Sequence, residues 1–267
     1  MKRKYRRMLW LGFWIVYLIL ILSFVNKENH RIICKDIRIN ITDKTGYNFI
    51  NTQTVRSMLQ NKNYQLIDRN LDSLNLEELE CYLRTNPCIK KAETYCNIDG
   101  ILSVNIEQRE PIARIINQNN ESCYIDKEGY LMPLSANYTA RVLVFSGNFT
   151  GSPGNHFHKC LAEKDTTLPL LFRDMYVLAD FIYHHEFWSA QIEQIYVNFR
   201  NEFELIPKTG EQVIILGDIN NYQQKFKKLI TLYKKGFYNI GWNQYKSINL
   251  TYKNQIVCKK DTTYGTE

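Results

Sequence analysis

Residues 83–115, "LRTNPCIKKAETYCNIDGILSVNIEQREPIARI", carry the reading on which the fold turns. Asn86-Pro87 stops a helix, because a proline forces the residue before it out of the α region. Beyond the stop, "IKKAETYC" (89–96) and "ILSVNIEQ" (101–108) flank Asp99-Gly100. Asp-Gly tolerates the positive φ angles of a tight hairpin, so the two runs predict a pair of antiparallel strands.

Toward the N-terminus, the helix that ends at Asn86-Pro87 has an apolar stripe of Leu76, Leu79 and Leu83. Asn75 caps it, with Glu78 three residues on in capping-box spacing. "INTQTVRSMLQ" (50–60) predicts another helix, with Asn51 as N-cap and Val55, Met58 and Leu59 on one face. "IICKDIRINI" (32–41) alternates through Ile37, Ile39 and Ile41, the period of a strand. A β-α-α-β-β unit over residues 33–115 follows, with one sheet face under two helices.

Toward the C-terminus, polar "NQNNES" (117–122) marks a boundary, and a second domain is expected over 120–260. Its expected elements are two short strands about Glu128-Gly129, a strand in "ARVLVFSG" (140–147) and a helix over 170–187. Three strands follow in "QIEQIYVNF", "FELIPK" and "EQVIIL", separated by turns at Asn201 and Thr209-Gly210. Tyr222, Phe226, Leu229, Ile230 and Tyr233 then form a helical stripe, with Lys225, Lys227, Lys228, Lys234 and Lys235 on the other face. The chain closes on "SINLTYKNQIVCKK" (247–260), which alternates through Ile248, Leu250, Tyr252, Ile256 and Cys258 and predicts one strand from 248 to 258. Eleven residues would run roughly 36 Å, about twice a usual strand. The fold class is α+β: two helices packed on a largely antiparallel sheet in the second domain, and a disordered tail over 261–267.

The net charge of +7 is concentrated at one end, since Lys2, Arg3, Lys4, Arg6 and Arg7 supply five of those charges. The remainder is nearly balanced, which argues against a nucleic-acid partner. Residues 8–26, "MLWLGFWIVYLILILSFVN", contain no charge. Nineteen residues at 1.5 Å each give about 28 Å, close to the thickness of a bilayer core. The positive-inside rule places residues 1–7 in the cytoplasm as a short tail and the bulk outside. A cleaved signal peptide fits less well, since the only small residue near its end is Ser23.

Chemistry is sparse. The seven cysteines are odd in number and lack C-x-x-C spacing, so they read as small core residues. In "HHEFW" (184–188) the residue four after His185 is Ser189, so no zinc-protease pair forms. "HFH" (156–158) offers two imidazoles with no third ligand, and the Gly-rich loop 147–155 lacks GK[ST]. No catalytic residue, cofactor, metal or small-molecule substrate is expected. Sequons at Asn40, Asn120, Asn137, Asn148 and Asn249 read as chance triplets of an Asn-rich chain.

Several of these stretches together resemble one family. The Asn-Pro stop, the hairpin and the closing Glu107, Arg109, Pro111, Ala113 pattern resemble the end of the POTRA domain of the bacterial division protein family FtsQ, also called DivIB. "YIDKEGYLMPLS" (124–135) is similar to the hairpin that opens the family's β domain, and "LPLL" (168–171), the Tyr- and Lys-rich helix and the final strand follow in the family's order. The chain departs from the pattern at Cys88, Phe172 and a terminal strand without glycine or closing aromatic. The resemblance implies a non-enzymatic divisome scaffold of the inner membrane, at the septum, that binds FtsB and FtsL. It also implies that the last strand accepts a strand from FtsB, with Tyr252, Lys253, Asn254, Gln255, Ile256, Val257 and Lys259 as the contact residues. An unpaired edge is a template for strand addition, while lysines on it also discourage unwanted pairing. Two other readings stand beside this one. A eukaryotic type II lumenal glycoprotein, such as a glycosyltransferase, lacks its D-x-D here, and a POTRA-containing transport protein predicts tandem units where one is found.

Overall fold

The Asp99-Gly100 hairpin organises the first of two units. The structure of the chain is a computed structural model that describes residues 10, 12–22, 33–42, 46–61, 66–70, 73–157, 159–163, 168–236 and 244–261. Gly100 adopts φ +84°, and a Cβ there would lie 2.4 Å from the Ile33 carbonyl oxygen, so only glycine fits the turn. The Asn97 side chain accepts a hydrogen bond from the Ile101 N–H at 2.9 Å and closes the same turn. Strands β2 (Ile89–Cys96) and β3 (Ile101–Gln108) pair antiparallel, and β1 (Asp36–Thr42) pairs parallel to β3, giving the order β1-β3-β2.

Helices α1 (Thr52–Asn61) and α2 (Leu76–Leu83) begin at the expected caps. Asn51 Oδ1 accepts from the Thr54 N–H at 2.7 Å, and Asn75 Oδ1 from the Glu78 N–H at 3.1 Å. Val55, Leu59, Leu79 and Leu83 are buried, as are Ala92, Leu102, Val104 and Ile106 of the sheet. Removing such side chains from water contributes about 1.5–3 kcal/mol for each large one. Glu80 of α2 accepts the Thr94 N–H at 2.6 Å and so satisfies one backbone donor of the edge strand β2. The β-α-α-β-β order is the expected one.

The second unit starts at Arg109. The boundary read from the sequence, near residues 115–120, differs from this. Ile112, Ala113 and Ile115 are buried in the second core, and β4 (Pro111–Ile116) bonds to strands of the second sheet. Among the described residues that sheet has nine strands. After β4 come β5 (Ser122–Asp126), β6 (Leu131–Met132), β7 (Leu143–Gly147), β8 (Ile192–Val197), β9 (Phe203–Pro207), β10 (Val213–Gly217), β11 (Tyr245–Asn249) and β12 (Val257–Lys260). Their order is β12-β11-β10-β9-β8-β7-β4-β5-β6, with β4–β7, β7–β8 and β10–β11 parallel and the other pairs antiparallel.

Helices α3 (Leu170–Tyr183), α4 (Glu186–Gln191) and α5 (Tyr222–Lys235) contribute to the core of this unit. The single helix expected over 170–187 is broken at His185, which is extended, and the break carries Trp188 into the core at 1% exposure. Trp188 and Phe181 contact Phe226 of α5, with ring centroids 5.0 and 4.9 Å apart.

Of the expected membrane span, residues 10 and 12–22 are described and helical, while residues 8, 9, 11 and 23–26 lie outside the described set. No helix among the described residues is long and apolar enough to cross a membrane. Of the expected tails over 1–7 and 261–267, all but Asp261 lie outside the described residues, and the Asp261 N–H donates to the Gln244 carbonyl at 3.0 Å.

Candidate functional site

The terminal segment does not form the single strand that its alternation predicts. It folds as β11, a connection over 250–256, and β12. Three sets of bonds hold the chain where β11 gives way to the connection. The Leu250 N–H donates to the Ile215 carbonyl at 2.9 Å, continuing the pairing with β10. Asn249 Oδ1 accepts from the Thr251 N–H at 2.9 Å and the Thr251 hydroxyl at 2.7 Å, a local side-chain turn that competes with strand continuation. The Lys228 ammonium of α5 donates to the Leu250 carbonyl at 3.0 Å and the Tyr252 carbonyl at 2.6 Å. Ile248 and Leu250 are buried as the alternation predicts, whereas Tyr252, past the break, is 47% exposed.

After the connection, β12 returns antiparallel to β11, pairing Val257 with Asn249, Cys258 with Ile248 and Lys259 with Ser247. It is the last strand in the order and has β11 as its one neighbour among the described residues. The expected edge is therefore present, but it is four residues long rather than eleven. Val257 is 43% exposed and Lys259 is exposed, whereas Cys258 and Ile256 pack against the core. Burial pushes the Cys258 thiol up, as suits a packing residue.

The seven residues singled out in the sequence thus divide. Val257 and Lys259 lie on the edge strand itself, and Tyr252, Lys253, Asn254, Gln255 and Ile256 lie in the connection before it. Lys253, Asn254, Gln255 and Ile256 line one wall of a groove of about 710 Å³, opposite Gln224, Lys227, Lys228, Thr231, Leu232 and Lys235 of α5. Leu232 and Ile256 supply apolar surface, and four lysines supply positive charge. The α5 wall was missed in the sequence because nothing local ties a helix at 222–235 to a loop some twenty residues later. The lysine spacing on the helix was its one visible trace.

The helix lysines do not act alike. Lys225, placed on the polar face by the sequence, is 8% exposed and donates to the Asp218 carbonyl and carboxylate, both at 2.8 Å. That bond holds the Asp218 carboxyl below the usual carboxylate range. Lys228 is desolvated, and burial followed by the charge of nearby Lys225 lowers its pKa. Lys227 is exposed and its ammonium has no partner among the described residues.

Elsewhere the described residues hold no group of three or more His, Cys, Asp or Glu placed to bind a metal ion. Comparison with protein families gives two matches: residues 32–107 match a POTRA-like domain, and residues 110–259, more than half of the chain, match the C-terminal related domain of FtsQ/DivIB. No curated protein matches the sequence. Both matched segments follow the division of the structure into two units, and the second contains the groove and all of β12 but its last residue, Lys260. The chain belongs to the FtsQ/DivIB family of non-enzymatic, division-associated membrane scaffolds.

Proposed function

We propose that the chain links division proteins at the septum of the bacterial inner membrane by docking FtsB, with FtsL, through strand addition at β12. The observation that carries this reading is the position of β12, which has one neighbour among the described residues and lies beside a groove lined by lysines and aliphatic side chains. Added main-chain bonds would supply affinity, and the side chains of alternate residues would supply specificity. Val257 and Lys259 would meet a partner strand, while Lys253, Lys227 and Lys235 would attract acidic residues that flank it. The topology that accompanies this reading has residues 1–7 cytoplasmic, one span at 8–26 and both folded units outside.

The test is a titration of the full chain with the periplasmic segment of its cognate FtsB, comparing wild type with Val257→Pro. Proline removes a backbone donor from an edge strand, where the rest of the sheet tolerates it best. The expected result is micromolar or tighter binding by wild type and loss of it in a Val257→Pro variant that melts like wild type. Equal binding by both would move the docking site off β12.

A further inference from the structure

Among the described residues, Lys228 is the one side chain of helix α5 that hydrogen-bonds the backbone of the connection leading into the edge. Two of its three ammonium protons point at the Leu250 and Tyr252 carbonyls, at 3.0 and 2.6 Å. The same short run is held from two other directions, by the Leu250 N–H on Ile215 and by Asn249 on Thr251. Residues 250–252 are therefore pinned to β10, to β11 and to α5, and the groove residues Lys253 to Ile256 follow directly. Gly217 fits this arrangement, since a Cβ there would come within 2.7 Å of the Thr251 methyl.

We infer that Lys228 is a positioning residue of the docking edge: it holds the 250–252 backbone so that the groove wall and the start of β12 are ordered before a partner arrives. The inference rests on the docking reading given above. An edge strand presents a usable template only when its backbone is already in line, and ordering a loose connection on binding would cost affinity. Lys228 also borders the groove, but its protons are engaged inward, whereas those of neighbouring Lys227 are not.

The pair Lys228→Met and Lys227→Met separates position from charge, because both lose one positive charge beside the same groove. The full chain in detergent micelles would be followed by amide hydrogen exchange and by titration with the FtsB periplasmic segment. In Lys228→Met, exchange at the bonded Leu250 and Thr251 amides should quicken at least about tenfold while β8, β9 and β10 keep their protection. Binding should weaken by about tenfold more than in Lys227→Met, and Lys228→Arg, which retains donors for both carbonyls, should recover most of both losses. Unchanged exchange at the Leu250 and Thr251 amides in Lys228→Met would overturn the inference whatever the affinity. Faster exchange with unchanged affinity would show that the connection is ordered but does not serve docking, and would overturn it too. Equal losses of affinity in the two methionine variants would make Lys228 a charge contact instead. Failure of wild type to bind the segment would sink the docking reading, and the exchange result would still report whether Lys228 orders the connection. Should Lys228→Met not fold, Lys228→Gln, which keeps an amide donor, is read in the same way.

Discussion

Asp126 has no solvent exposure, and its carboxylate survives there on bonds from three directions. Arg109 Nη1 donates to Oδ2 at 2.7 Å, and the Glu128 and Tyr130 N–H groups donate to Oδ1 at 3.0 and 2.6 Å. Burial pushes the Asp126 carboxyl up, and Arg109 works against that shift while its guanidinium lies 4.0 Å from the centroid of the Tyr130 ring. Removing one partner of a buried pair strands the other, so Arg109→Met should destabilise the second unit by about 3–5 kcal/mol. Arg109→Met combined with Asp126→Asn should recover most of that, read from denaturant midpoints. The cysteines allow a second check at this scale. The buried Cys123 thiol is pushed up to about 12 by desolvation, while Cys81 is exposed. Since the thiolate is the reactive form, an alkylating reagent at pH 8 should modify Cys81 in the native protein and reach Cys123 only after unfolding.

At the scale of elements, helix α5 connects the parts of the candidate site. Its apolar stripe lies in the core, Lys225 secures the turn before it, and Lys228 secures the connection after β11. The folded Asp218 carboxyl titrates below its unfolded value, so the stability it contributes is present above about pH 4 and is lost as pH falls through the lower, folded value. Asp218→Asn should therefore weaken the protein near neutral pH by no more than about 1 kcal/mol, because the Asp218 side chain is 61% exposed. The gap between variant and wild type should close below about pH 4 in urea titrations. The β2–β3 hairpin was legible because its turn residues and strand runs are neighbours in sequence. The break at His185 was not, because it is set by the pocket that receives Trp188 among Phe226 and Tyr233 of a later helix.

For the whole molecule, the distribution of charge bears on orientation. Five of the net seven positive charges precede residue 8. Under the proposed topology they hold the N-terminus in the cytoplasm, and neutralising Lys2, Arg3, Lys4, Arg6 and Arg7 together should reduce the fraction of chains with the folded units outside. Protease accessibility of intact spheroplasts measures that fraction. Unchanged accessibility would remove the charge tag from the account of orientation. The division of the chain into two units, each with its own sheet, matches the two family segments, and their order was readable from local signals alone.

By itself, the sequence determined the β-α-α-β-β order of the first unit, its helix caps and hairpin turn, and the α+β class of the chain. Each of these depends on residues within about one helical turn or one hairpin of each other, where periodicity and turn chemistry act directly. The tertiary structure decided where the terminal strand breaks, which lysines are buried, that Pro111–Ile116 joins the second sheet, and that α5 and the 253–256 segment face each other across a groove. The physical reason is range. The bonds from Lys228 to residues 250 and 252 span 22 and 24 positions, and no local pattern encodes a partner at that distance.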